Sequence, residues 1–173
     1  FLDEVNHSRQ SADKYYQTKG GYESLIVGCY SNLKNIYNTT TYQIFTQQGT
    51  DVFTQNYPTE VAAMNQYTTT YQSNNGTIYA MWSSYFNALN NVNAAIDRSK
   101  SVILKTDDPD GIEPSALAQL VAEAKALRAW YLFEIVRNWG QGPLKINESK
   151  EPSYTVEYSN GAAFYQQLFT DLE

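Results

Sequence analysis

Residues 115–139, SALAQLVAEAKALRAWYLFEIVRNW, leave a folding chain few choices. Leu117, Leu120, Val121, Ala124, Leu127, Tyr131 and Ile135 recur at steps of three and four, the spacing of one helical face. Pro114 stands ahead of the first turn, where a missing N–H matters least, while Gly140 and Pro143 stop the helix. The segment is too polar to cross a bilayer. Arg128 falls on the apolar stripe, where an unpaired charge would be costly. Two readings follow. Either the guanidinium is buried and satisfied by an acid, an Asn or helix-end carbonyls, or it grips a ligand carboxylate. In both, other elements must close around position 128.

Three more segments carry helical periodicity. Over 19–37 the stripe is Tyr22, Leu25, Ile26, Cys29, Tyr30, Leu33 and Ile36, with Thr18 able to cap it. Over 77–100 it is Ile78, Met81, Trp82, Tyr85, Phe86, Leu89, Val92 and Ile96, capped by Asn75 or Thr77. Asn90 and Asn93 border that band and are placed to bond a neighbouring backbone or Arg128. A last helix over 160–173 uses Phe164, Leu168 and Leu172, with Ser159 or Asn160 as cap. Residues 1–17 read as a polar, extended leader. Region 42–75 is irregular, with Gly49, Asp51 and Pro58, and a single helical turn is expected near 62–66. Such a stretch is usually functional or mobile. Residues 143–146 read as a short extended piece. DDPDG at 107–111 lacks the alternating ligands and closing Glu of a calcium loop and reads as a solvated turn.

Composition removes several function classes. The net charge is −6, and the 12 Lys and Arg form no run, which argues against nucleic acid and against a basic membrane-surface helix. His7 has no second histidine to share a metal, and Cys29, the single cysteine, lies in an apolar run as an inert thiol. No cofactor is expected. No phosphate loop, nucleophile elbow or spaced His–Glu pair is present, and no two carboxylates are placed for glycoside hydrolysis, so the chain is not read as an enzyme. The four N-x-S/T sequons carry little weight in an Asn- and Thr-rich chain. Fifteen Tyr supply flat apolar faces with a hydroxyl, suited to wet binding surfaces as well as to helix seams.

EAKALRAWYLFEIVRNWGQGPL, residues 123–144, resembles the signature helix and exit turn of the SusD/RagB family. The shared features are Arg128-Ala129, Tyr131 and Phe133, Glu134, Val136-Arg137, Trp139-Gly140 and Pro143. Trp82, Tyr85, Asn90, Asn93 and Ile96 resemble the family's tryptophan–tyrosine–asparagine helix, and FYQQLFTDLE its following element. The resemblance implies an all-α fold of stacked antiparallel helices, tetratricopeptide-like, over 1–173. It also implies a surface lipoprotein of the outer membrane that holds nutrients, usually glycans, for a SusC-like TonB-dependent transporter. The chain begins at Phe1 and ends inside an expected helix, so it is read as the front portion of something longer, with the lipidated cysteine outside it. The resemblance places ligands in a shallow aromatic arc built partly from loops after the first helix. Position in the 42–75 region then selects Asp51, Tyr57, Tyr67 and Tyr71 as ligand-binding candidates. Arg128, Asn90, Asn93, Trp82, Trp139 and Gly140 are assigned to structure. Rival readings are a peptide-binding RagB-type member, a helical-repeat scaffold without small ligand and, remotely, a glycosidase.

Overall fold

The computed structural model describes residues 11–53, 60–68, 72, 74–151, 153 and 155–173. Its helices are α1 (Ala12–Tyr15), α2 (Lys19–Tyr37), α3 (Thr40–Gln47), α4 (Glu60–Gln66), α5 (Gly76–Arg98), α6 (Pro114–Trp139) and α7 (Gly161–Leu172). Two residue pairs, β1 (Gln141–Gly142) and β2 (Ser159–Asn160), form a minimal antiparallel ladder at the mouth of the α6–α7 connection. The fold is all-α, with helices stacked in the tetratricopeptide manner.

Side-chain bonds fix the helix directions. Tyr22 at the start of α2 donates to the Ala95 carbonyl near the end of α5, so the two run antiparallel. Tyr85 reaches Glu134, and Arg128 reaches Asn93, so α5 and α6 are also antiparallel. Tyr30 pairs with Glu123 and Trp130 with Tyr37, which makes α2 and α6 parallel neighbours. The core lies among these three helices and includes Tyr22, Ile26, Cys29, Tyr85, Leu89, Tyr131 and Ile135. The α6 periodicity describes only part of its burial. Leu117, Leu120 and Val121 at its start are only partly buried, whereas Arg128, on the stripe, and Ala129, Leu132, Glu134 and Val136, off it or beside it, are buried. The second half of α6 is enclosed by α2, α5 and α7 together.

Helix ends follow local chemistry. Thr18, Thr39, Asn75 and Asn160 each accept an N–H of the first turn with a side-chain oxygen. Pro114 occupies the first turn of α6, and Gly140 ends it with a left-handed φ of 74°.

Several expectations are corrected. The leader is not wholly extended: Ser11 caps the short helix α1. Region 42–75 is far from irregular in its first part, because Thr39 restarts the chain as α3 two residues after α2 ends, and α4 is nearly two turns rather than one. The Thr39 hydroxyl serves both helices, donating to the Ile36 carbonyl at the end of α2 and accepting the Tyr42 N–H at the start of α3. Tyr30 is 42% exposed despite its stripe position. The extended pairing falls on Gln141–Gly142 rather than on 143–146.

Residues 145–149 are instead held by α5. Asn93 Nδ2 donates to the carbonyls of Lys145 and Asn147 at 3.0 and 3.3 Å. Asn90 exchanges two bonds with the Ser149 backbone, and Asp97 accepts the Glu148 N–H at 2.7 Å. Residues 90, 93 and 97 share one helix face, so they present a ladder of amide and carboxylate groups to this non-helical segment.

Candidate functional site

Arg128 is held by three residues from three parts of the chain. Its Nε donates to Asp171 Oδ2 at 2.7 Å and its Nη2 to Oδ1 at 2.5 Å, a bidentate pair. Nη1 donates to the Ile146 carbonyl at 2.8 Å and to Asn93 Oδ1 at 3.3 Å. Side-chain exposures of 7% for Arg128 and 1% for Asp171 leave no room for a ligand between them. Asn93 therefore touches both the guanidinium and the 145–149 segment, while Asn90 touches only the segment. The acid that completes the set, Asp171, lies in the last helical turn, and only the tertiary fold brings it to position 128.

The main cavity lies elsewhere, where α3, the end of α4, the first turns of α5 and the exit of α6 meet. It is open to solvent and has a volume of about 1050 Å³, ample for several sugar rings or a peptide segment. α3 contributes Tyr42 and Phe45, one turn apart. α5 contributes Ile78, Tyr79 and Trp82, and α6 contributes Arg137, Asn138 and Trp139. Tyr67 and Tyr158 lie at its margins, exposed by 69% and 64%.

The rings are held by one another. Trp139 stacks on Phe45 at 5.7 Å between centroids and meets Trp82 edge-on at 5.1 Å, while Trp82 lies against Phe86 at 4.5 Å. Such offset and edge contacts fix the planes of the rings. Gly142 brings its backbone close under this cluster: a Cβ there would stand 3.3 Å from the Trp82 ring.

One buried acid lies behind the wall. Glu134 accepts from the Tyr85 hydroxyl at 3.0 Å and from Arg137 Nη2 at 2.8 Å. Burial pushes the Tyr85 phenol far above its ordinary range, and the neighbouring Tyr37 and Glu134 add to the effect, so Tyr85 remains a neutral donor.

The sequence-selected candidates fare unevenly. Tyr67 is on the cavity margin, with its hydroxyl donating to the Gly49 carbonyl at 3.0 Å and its backbone at a left-handed φ of 51°. Asp51, exposed on the turn after α3, is not among the lining residues. Tyr57 and Tyr71 lie outside the described residues. Trp82 and Trp139, assigned to structure, are both on the cavity wall, and Gly140 ends α6 beside it. Sequence reading missed Tyr42, Phe45, Tyr79, Arg137, Asn138 and Tyr158. The i, i+3 pair Tyr42–Phe45 was a usable signal once Thr39 was recognised as a cap.

A second, smaller polar hollow surrounds Arg98, which bonds both oxygens of Glu148 and pairs with Asp13 at 2.7 Å. It ties α1 and the 148 turn to the end of α5. Among the described residues no three His, Cys, Asp or Glu side chains stand together as a metal site, and no helix is long and apolar enough to cross a membrane.

Comparison with known proteins gives a consistent picture. Residues 21–173 match the SusD-like family model described as "Starch-binding associating with outer membrane". A SusD-like protein of Formosa agariphila is 26% identical over 151 residues, covering 83% of this chain and 27% of that protein. A SusD superfamily protein of Bacteroides vulgatus superposes with a TM-score of 0.73 at 19% identity, over 91% of this chain and 34% of the other. A SusD homolog of Bacteroides thetaiotaomicron gives 0.71 at 18% identity, over 96% and 32%. The two structural matches bear on fold, and in all three cases the chain spans only about a quarter to a third of the relative's length.

Proposed function

This chain belongs to the SusD-like family, and from that membership and the aromatic cavity we propose that it is the ligand-holding part of a non-catalytic nutrient-binding protein of the outer membrane. Its ligand is an oligosaccharide, which it passes to a SusC-like TonB-dependent transporter. The observation that carries this reading is the ring cluster of Phe45, Trp82 and Trp139 beside Tyr42 and Tyr79. Sugar rings present apolar C–H faces to such planes, while neighbouring amides such as Asn138 and the Tyr hydroxyls address their hydroxyl groups. Tyr67 contributes at the margin, while Asp51 is outside the lining and Tyr57 and Tyr71 are proposed as contacts on sequence position alone. Arg128, with Asn90 and Asn93, acts as scaffold. Anchorage is through a lipidated N-terminal cysteine, which this sequence does not contain.

Calorimetric titration against oligosaccharides and, in parallel, against oligopeptides tests the reading. Saccharide binding that is lost in Trp82→Ala, with no turnover of the bound sugar, is the expected result. Binding confined to peptides would replace it with the RagB-type alternative. Co-purification with a TonB-dependent transporter from the native membrane tests the partner.

A further inference from the structure

The cavity has a charge asymmetry that its aromatic walls do not require. The protein is acidic, at −6, yet no Asp or Glu is among the described lining residues, and Arg137 is the one Lys or Arg there. Nor is Arg137 an ordinary mobile surface arginine. Its Nη2 is bonded to Glu134, whose side chain is 1% exposed, while Arg137 itself remains 47% exposed. Its guanidinium carbon also lies 5.6 Å from the centroid of the Phe133 ring. Swinging the arginine away would leave a desolvated carboxylate with, among the described residues, the Tyr85 hydroxyl alone, which is strongly unfavourable. One edge of the guanidinium is thus anchored, and Arg137 lines the cavity in that pose before any ligand arrives. Anchored arginines of this kind suit planar or tetrahedral oxyanions, because their donors form a rigid fork.

We infer that the saccharide held in this cavity is acidic, and that Arg137 selects it by donating to a carboxylate or sulfate ester on the sugar. The inference rests on the saccharide-binding reading above. A neutral glucan would meet the same rings but offer the guanidinium only hydroxyls. Pairing with Glu134 offsets part of the cation's field, so the preference comes from directed donors, with no acid among the described lining residues to repel the ligand. It weakens at high salt, as a half-exposed site must.

The test is titration of the full chain with matched trisaccharides: tri-galacturonate, a sulfated galactotriose and unmodified galactotriose, followed by equivalent sets on glucose and xylose backbones. In at least one set the carboxylate or sulfate form is expected to bind tenfold or more tightly than its neutral counterpart, and the two arms tell which oxyanion is preferred. Glu134→Gln/Arg137→Gln, which keeps two hydrogen-bonding amides in place of the ion pair, should bring that preference below twofold. Arg137→Lys, which preserves the charge without the fork, should reduce it at least threefold and serves if the double variant does not fold. Equal or tighter binding of the neutral members, or a preference unchanged by the substitutions, overturns the inference while leaving saccharide binding intact. No binding of any member defeats both.

Discussion

Arg128 and Asp171 show what a single buried charge demands of a chain. The guanidinium has its carboxylate, an amide oxygen and a backbone carbonyl, all from elements other than its own. Such a pair is not a large net source of stability, because its desolvation roughly offsets its attraction, but breaking it is costly. Arg128→Ala should therefore lower the unfolding free energy by about 3–5 kcal/mol, or prevent folding, as read by denaturant titration. Asp171→Ala should cost a similar amount, and the two losses should not add. Normal folding of Arg128→Ala with loss of ligand alone would move this residue from scaffold to site. Two other buried groups predict a pH response. Burial pushes the Cys29 thiol from 9.0 to about 12 and the Tyr22 phenol from 10.0 to about 12. Folding favours the protonated forms, so their contribution is complete below pH 9 and is lost as pH rises towards 12. The denaturation midpoint should hold steady at pH 8 and fall steadily above 10, and Cys29 should resist alkylation until the protein unfolds.

At the scale of elements, ends and connections carry the most legible physics. Gly140 closes α6 with a left-handed backbone and no neighbour within reach of an added Cβ, so Gly140→Ala tests conformation alone. It should cost about 1–2 kcal/mol by thermal unfolding. Asn75 caps α5 with bonds to the N–H groups of Thr77 and Ile78. Its replacement by Ala should cost roughly 0.5–2 kcal/mol and speed amide exchange in the first turn of α5. Because Ile78, Tyr79 and Trp82 leave that end of the helix for the cavity, the same change should weaken ligand binding even though residue 75 is not in the lining.

For the whole molecule, the three-helix core and the cavity answer to different rules. Antiparallel α5 is gripped by α2 on one side and α6 on the other, and that packing holds Trp82 and Trp139 in contact at the mouth. Ligand entry should therefore change tryptophan emission, and Trp82→Ala should abolish most of that signal while leaving the unfolding transition cooperative. Loss of cooperativity would mean that the ring cluster belongs to the core rather than to a binding surface.

Periodicity was enough to reveal the four long helices, because each buries one face and apolar side chains must then repeat every three to four residues. Caps were legible for a similar local reason: a hydroxyl or amide satisfies N–H groups only two or three residues away. The sequence by itself therefore determined the all-α class, the order of the four long helices and the presence of a guanidinium that had to be buried or bound. Its partner was not determined, since Asp171 is 43 residues from Arg128 and the pairing depends on how α7 folds back. The cavity was not determined either. Its walls come from α3, α5 and α6, and nothing local distinguishes a ring facing solvent from one facing a neighbour; only the packing of those helices decides which aromatic faces stay open.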